Sequence, residues 1–523
     1  MCVINFDENN TSAQVATRVG VAASIVYILT KYIVYNLYIH PLNRLPGPKV
    51  GWIPFMGNFG EIFGSEAGVP HKRWVKKYGG ILKYNGPWNK PRLLVTDDVL
   101  LKQVLTTDEY DYIKTPESSA FLRRFLGNGL LVAEGSVHRF QRKMLNPAFS
   151  VQSTRALVPL MAVPGHQLRD HWLKLLKSEE TTKVGENNEL TELIISNDLS
   201  LATLDVIGLA GFGQDLKSLE HAGTPEQNKL SQAYLHLFSS DMSIMRVLGL
   251  LFPFFRHIPT ERNLKIRRDV RWLEEESKAL VHAGIERAKA EKEAGAVSSK
   301  PKDLLALMVG LIDEETGKGF TAEELRNQCL TFLAAGHETT SVSLSWCLWL
   351  LAKDQKLQDD LRAEVSQLFK DDEVPSYDEI NSLPLLNNVC RETLRLIPPV
   401  PVTNRITRVD VTLGGYFVPK GTTLFLSPIT SHHSTEIWGP DAEEFNPYRW
   451  ETNKIGNAYQ YMPFLAGGRQ CIGYRFALIE MKLLLAILIR DIQYFEKPDF
   501  KVAKRQQITL RPFPNMTLWM KAI

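Results

Sequence analysis

Apolar residues follow two different patterns along the chain. Near the N-terminus they form one block, VGVAASIVYILTKYIVYNLYI over 19–39, whose one charged residue is Lys31. As a helix this block has about the thickness of a bilayer's hydrocarbon core, and Lys31 can reach an interface by extending its stem. Asp7, Glu8 and Arg18 precede it, and His40, Arg44 and Lys49 follow it, a basic bias that puts the C-terminal side in the cytosol. A cleaved signal peptide is the competing reading. Against it, no small-x-small cleavage site follows, and the next stretch, RLPGPK, carries two prolines that end the helix. The pattern therefore divides the chain into a short lumenal tail (1–18), a transmembrane anchor (19–39), a proline-rich hinge (40–49) and one large body (50–523). Asn9 and Asn10 each open a glycosylation sequon, usable only if the tail is lumenal.

Beyond the hinge, apolar positions recur at helical spacing from about 98 to 398. Thr321 and Glu324 are spaced as a capping box, and the helical pattern that starts there runs to about Leu351 without a proline. Strand-like stretches are short: 80–84, 92–95, 411–413, 416–418 and 423–426, with Gly414 and Gly415 as a turn, and a last pair over 508–510 and 517–520. The Ala, Gly, Ser and Lys stretch of 292–302 reads as a solvated connector. No repeat or low-complexity linker divides the body. These patterns predict a mainly α protein with small β-sheets (α+β class) behind a single N-terminal membrane helix.

Composition narrows the chemistry. The net charge of +3 and the 23% of charged residues in 523 make no case for nucleic-acid binding. The 5 cysteines are scattered and contain no CxxC, which argues against a disulfide framework or a zinc finger. Cys329, Cys347 and Cys390 read as small apolar filler inside helices. Adjacent His432 and His433 read as structural.

Three stretches remain. FLAAGHETTS, 332–341, puts Gly336, Thr339 and Thr340 in the middle of the long helix, where glycine and β-branched residues weaken it. Phe332, Gly336, Thr339 and Ser343 share a face that is small or hydroxylic except for Phe332, so a flat ligand could lie there. A mid-helix Thr339 hydroxyl can bond back one turn, and with Glu338 it forms a pair suited to proton handling. Helix packing at a small-residue face is the alternative. In PFLAGGRQCIGYRF, Cys471 lies between a glycine loop and an apolar helix. The helix N-terminus is expected to stabilise its thiolate, and Arg469 supplies a cation for an anionic group close to that sulfur. A single thiolate cannot build a zinc site, but it can be the one axial protein ligand of a haem. In CRETLRLIPPVP, Glu392 and Arg395 are spaced to pair on one helix.

Phe464-x-x-Gly467-x-Arg469-x-Cys471-x-Gly473 resembles the haem-binding signature of the cytochrome P-450 family, and the likeness extends over about 40–520. The resemblance implies the P-450 fold for 50–523 and haem b (iron protoporphyrin IX), with Cys471 as the metal ligand and Phe464, Gly467, Arg469 and Gly473 holding the cofactor. Ala335-Gly336-x-Glu338-Thr339-Thr340 resembles the family's oxygen-binding motif. It implies a groove for O2 and water beside Ala335 and Gly336, with Thr339 organising hydrogen bonds, Glu338 relaying protons and His337 facing away. Glu392 and Arg395 resemble the family's E-x-x-R pair, which joins an arginine here matched by Arg449. In that segment Tyr448 stands where glutamate is usual, and the three residues are implied to be structural. EGSVHRFQRK resembles the W-x-x-x-R element, with His138 in place of tryptophan and Arg142 kept. His138, Arg142, Arg405 and Arg469 are the implied propionate partners. Substrate contacts are implied from 112–131, Phe332, Ala335, Val400, Val402 and Ile508.

The implied activity is monooxygenation of a lipophilic substrate at the endoplasmic reticulum, in specialised, lipid or xenobiotic metabolism. NADPH electrons would come from a separate membrane flavoprotein reductase. The GKGFTA stretch at 317–322 loosely fits a nucleotide loop but lacks a preceding strand, so it reads as a plain loop. Arg139, Lys143, Arg475 and Lys482 are candidates for docking an acidic partner. The competing functions are a haem-thiolate isomerase or dehydratase and a non-catalytic haem-binding membrane protein.

Overall fold

A helix of 31 residues, Ala322–Ala352, runs through the centre of the molecule. Its start is fixed by the capping box: Thr321 Oγ1 accepts from Glu324 N (3.2 Å), and Glu324 Oε2 accepts from Thr321 N (2.9 Å). It is buried nearly all round, with polar residues such as Gln328, His337 and Glu338 enclosed among its apolar ones. Leu333, Leu344, Trp346 and Leu348 join the main core with Ile195 and Leu199 from the helix Ile195–Val206 and Leu484 from the helix Tyr474–Asp491. The helices Pro384–Leu396 and Glu261–Glu293 close two further sides. The computed structural model describes residues 8–523 except 54, 186, 223, 225–228, 238–257, 294–301, 314, 370–373 and 453–455. Most of the 292–302 connector, and the side chains of Asn9 and Asn10, lie outside the described residues.

The sheets are small and peripheral. Strands β1 (Ile81–Asn85), β2 (Pro91–Val95), β9 (Thr423–Leu426), β6 (Thr403–Thr407) and β3 (Tyr112–Ile113) form one sheet in that order. The β2–β9 pair is parallel, and Leu93, Leu424 and Arg405 stand in register across three strands. A second sheet has the order β10 (Ile492–Glu496), β13 (Thr517–Ala522), β5 (Leu190–Ile194), β4 (Lys183–Val184). β7 (Val411–Leu413) and β8 (Tyr416–Val418) form the expected hairpin. The expected pairing of 508–510 with 517–520 does not occur. The first segment enters β12 (Leu510–Phe513), which pairs with β11 (Ala503–Gln506), while β13 takes β10 and β5 as neighbours. Partners so remote in sequence leave no local signature.

At the N-terminus the α-helix spans Glu8–Leu29 and continues as wider π turns over Thr30–Ile39. It starts earlier than the apolar block because no proline or glycine interrupts 8–18. The helix over Gln14–Arg44 is long and apolar enough to cross a membrane, and a span of 18 residues within it has a mean hydropathy of 1.4. The C-terminal end of this helix is docked on the body. Asn36 Nδ2 donates to Trp88 O (3.1 Å), Asn89 Nδ2 donates to Tyr32 O (3.3 Å), and the Tyr32 and Trp88 rings are 5.1 Å apart. The hinge is likewise pinned, since Leu42 is fully buried and Lys83 N donates to Pro46 O (2.9 Å).

Candidate active site

The loop before Tyr474–Asp491 is shaped by its glycines and its own amides. Gly467 has φ +73°, and a Cβ there would lie 1.8 Å from Leu105 O, so no side chain fits. Gly468 N donates to Glu109 Oε2 (2.8 Å), and Cys471 N donates to Phe464 O (2.9 Å). The Cys471 side chain is open while the other three described cysteines are buried. Burial of its surroundings pushes the Cys471 thiol up, and the Gly473 N–H and the nearby Arg142 only partly offset this. The protein alone therefore favours the thiol.

Above this loop stands the weakened stretch of the central helix. Ala335 is exposed and Gly336 and Thr339 are half-buried, on a helix otherwise buried around them. Thr339 Oγ1 donates back to Ala335 O (2.9 Å), and Ser343 Oγ donates to Thr339 O (2.8 Å). The face is narrower than its spacing suggests. Phe332 and Ser343 are buried, and a Cβ on Gly336 would come within 3.2 Å of Ile207, so Gly336 serves helix packing as well. His337 faces away, with Nδ1 2.6 Å from Leu333 O and its ring against Tyr234. Phe149, which the sequence did not single out, bridges the two motifs. Its ring lies 5.1 Å from Phe332 and within 3.7 Å of a Cβ placed on Gly473.

Glu338 is 2% exposed and fully engaged. Oε1 accepts from Thr509 Oγ1 (2.6 Å) and Arg511 Nε (2.5 Å), and Oε2 accepts from Arg511 Nη2. Burial works against its charge, but Arg511 and Thr509 outweigh burial and hold the carboxyl below its ordinary range.

Beside the cysteine loop lies a buried cluster of basic groups. Lys114, His138, Arg405 and Arg469 gather around Glu134, which pairs with Arg469. Burial and mutual repulsion lower Lys114 to about 7, His138 to about 4 and Arg405 to about 10. Arg405 Nε, Arg469 Nε and His138 Nδ1 are buried without a hydrogen-bond partner. Such an excess of buried donors calls for further anions. The two propionates of a haem would supply them next to an open cysteine sulfur, so the residues fit that cofactor. Lys114 was not legible from the sequence as a member. Arg142 donates through Nη1 to Gln470 O (2.5 Å) and also acts electrostatically on His138.

Glu392, Arg395 and Arg449 form a buried network. Glu392 accepts from Arg395 (2.8 and 2.9 Å), Arg449 Nε (2.8 Å), Trp450 Nε1 (3.0 Å) and Asn446 N (3.0 Å). Tyr448 is 43% exposed and its hydroxyl donates to Asp360, so the departure at that position leaves the network intact. His432 ties the network to the cysteine loop, accepting from Met462 N (2.9 Å) through Nε2 and facing Arg395 O (3.1 Å) through Nδ1. Its neighbour His433 meets Leu396 O and Glu443.

Val400, Val402 and Ile508 are half-buried. Leu510 N donates to Pro399 O (2.8 Å) and Trp346 Nε1 donates to Leu510 O (2.7 Å), which lays 508–510 between the 399–402 segment and the central helix. The docking candidates separate. Arg139 is exposed, with its guanidinium 4.0 Å from the Tyr110 ring, and Arg475 is half-buried over Tyr474. Lys143 pairs with Asp313 and Glu315, and Lys482 is buried against Asn381. These last two are not free surface cations.

A long central helix over a cysteine loop, with small flanking sheets and a cation pocket, defines a haem-thiolate protein. A family profile for cytochrome P-450 matches residues 46–518, and the chain belongs to this family. It is 35% identical to cytochrome P-450 monooxygenase 205 of Postia placenta, over 96% of this chain and 95% of that protein. It is 32% identical to the monooxygenase sphH of Aspergillus fumigatus, over 94% and 90%, and 32% identical to a cytokinin hydroxylase of Arabidopsis thaliana, over 87% and 83%. The protein is a haem- and O2-using monooxygenase of this family, whose members take electrons from a redox partner and bind lipophilic substrates. The isomerase and the non-catalytic binder are not favoured.

Proposed function

We propose that this protein hydroxylates a lipophilic small molecule, of terpenoid, fatty acid, steroid or polyketide type, in specialised metabolism. Its anchor would hold it in the endoplasmic reticulum with the body in the cytosol, and a membrane NADPH–cytochrome reductase would supply electrons. The observation that carries the reading is the open Cys471 sulfur beside a buried pocket whose arginine and histidine nitrogens lack partners. Cys471 would hold the haem iron, and Lys114, His138, Arg405 and Arg469 its propionates. When bound, the haem supplies activation of dioxygen by electron donation from the thiolate. In the overall reaction one oxygen atom enters a C–H bond and the other leaves as water, consuming two electrons and two protons. The chain's own residues manage the rest. The Thr339 hydroxyl, borrowed from Ala335 O, offers a hydrogen bond in the groove. Glu338 relays protons toward it. Phe332, Val400, Val402 and Ile508 exclude water and orient an apolar substrate. Arg139 and Arg475 would meet an acidic partner on the thiolate side.

The test is a carbon-monoxide difference spectrum of reduced membranes containing the full chain. A far red-shifted Soret band that Cys471→Ala abolishes is expected, followed by substrate-dependent NADPH consumption with added reductase. No thiolate band in folded wild type would overturn the reading.

A further inference from the structure

The carboxylate of Glu338 is held on both oxygens, and its partners come from far away in sequence. β12 and the bend before it bring Arg511 and Thr509 to the central helix, where they take both carboxylate oxygens. Glu338 directly precedes Thr339, which lines the opening. Arg511 is 22% exposed while Glu338 is 2% exposed, so the ion pair is buried on the carboxylate side and more open on the guanidinium side. Ile508, beside Thr509, belongs to the segment laid against the 399–402 stretch.

We infer that Arg511 and Thr509 are positioning residues for proton supply, holding Glu338 charged and fixed at the flank of the Thr339 groove. This rests on the monooxygenase reading above. A carboxylate held this way cannot swing freely to Thr339. From that fixed place Glu338 gives up a proton to the groove and is left as the carboxylate that Arg511 stabilises, and it takes a proton again from solvent to complete the cycle. The alternative, a tether that merely staples β12 to the helix, would work as well with any group filling the same space.

The groups around Glu338 limit what else could set its charge. Arg511 from β12 and His337 from its own helix act on it electrostatically, and burial opposes its ionisation. His337 is itself pushed down by burial. From the helix Tyr474–Asp491, Glu480 reaches this region but bonds Thr340, and burial pushes it well up. From Ile195–Val206, Asp205 is turned to the amides of Ser218 and Leu219. From Lys229–Leu237, Tyr234 meets His337. Arg511 is thus the cation that offsets the burial of Glu338.

The experiment compares full-length, haem-loaded wild type with Arg511→Gln, Arg511→Lys, Thr509→Val and Arg511→Gln/Glu338→Gln. Infrared spectra across pH report the protonated carboxyl stretch, with Glu480 contributing a constant band. Arg511→Gln should add a protonated-carboxyl band at neutral pH, its midpoint raised by about 3 pH units as for an uncompensated buried acid. The double variant should lack it, Thr509→Val should show a smaller rise, and Arg511→Lys should return the wild-type spectrum. With reductase and NADPH, the share of NADPH ending as peroxide should rise in Arg511→Gln with a shifted pH profile, and Lys should rescue it. If Arg511→Gln gives no Glu338-dependent band and an unchanged pH profile, the inference is overturned. If that variant fails to fold, an unshifted Thr509→Val overturns it equally. Loss of the thiolate Soret band in wild type would instead sink the functional reading.

Discussion

Replacing Glu392 by glutamine tests whether the network behind the cysteine loop is held by charge or by shape. The carboxylate is fully buried and accepts five hydrogen bonds from Arg395, Arg449, Trp450 and the Asn446 amide. Glutamine fills the same volume but loses the negative charge. Its NH2 must then face one of the donors that the second oxygen served. Arg395, with no exposed side-chain surface, would be left with carbonyls of His432, Ala442 and Glu444 as partners. Arg449 would keep Asp441. Removing one partner of a buried ion pair costs about 3–5 kcal/mol. Typical domains have about 5–15 kcal/mol in all, so roughly a fifth or more of the stability is at stake. Because His432 bonds both Arg395 O and Met462 N, the damage should reach the cysteine loop. The assay is the urea midpoint in detergent, with the fraction of thiolate-ligated haem retained after a fixed heat challenge. A midpoint change equivalent to less than about 1 kcal/mol, with full haem retention, would refute the reasoning.

Gly467→Ala forces an L-residue into φ +73° and a Cβ against Leu105 O. It should lower haem content and destabilise the protein by roughly 1–3 kcal/mol or more, read by pyridine haemochrome and urea unfolding. Cys471→Ser should fold normally, because the side chain is open rather than part of the core, yet lose the thiolate Soret band. Burial holds His432 at about 3 and His71 at about 4, against about 6.5 in the unfolded chain. The unfolded state therefore binds more protons below about pH 6.5, and unfolding free energy should fall as pH drops from 6.5 toward 4. A flat profile over that window in urea titrations would contradict neutral burial. Trp88→Ala removes the ring packed on Tyr32. It should speed limited proteolysis within 40–49 without changing the haem spectrum.

What the sequence determined by itself was whatever chemistry is local. The Phe464–Gly473 spacing places a cysteine after a tight loop, because Gly467 alone can adopt the turn. The capping box at Thr321 and Glu324 marks the start of the central helix, since both halves of that interaction lie within one turn. The apolar block over 19–39 is continuous, so a membrane-length helix is readable from composition. The E-x-x-R pair is also one helical turn. What only the tertiary structure decided involves groups brought together from distant parts of the chain. Lys114 joins His138, Arg405 and Arg469 around Glu134 from separate segments. Phe149 links Phe332 to the cysteine loop, and β13 finds β5 and β10. Lys482 looks like a surface cation in sequence but is buried. The Cys471 thiol is pushed up because desolvation depends on every atom packed nearby, and no local pattern encodes that sum. Glu338 shows the division most clearly. Its position beside Thr339 is written in a short motif, while its charge and orientation are set by Arg511 and Thr509, some 170 residues later.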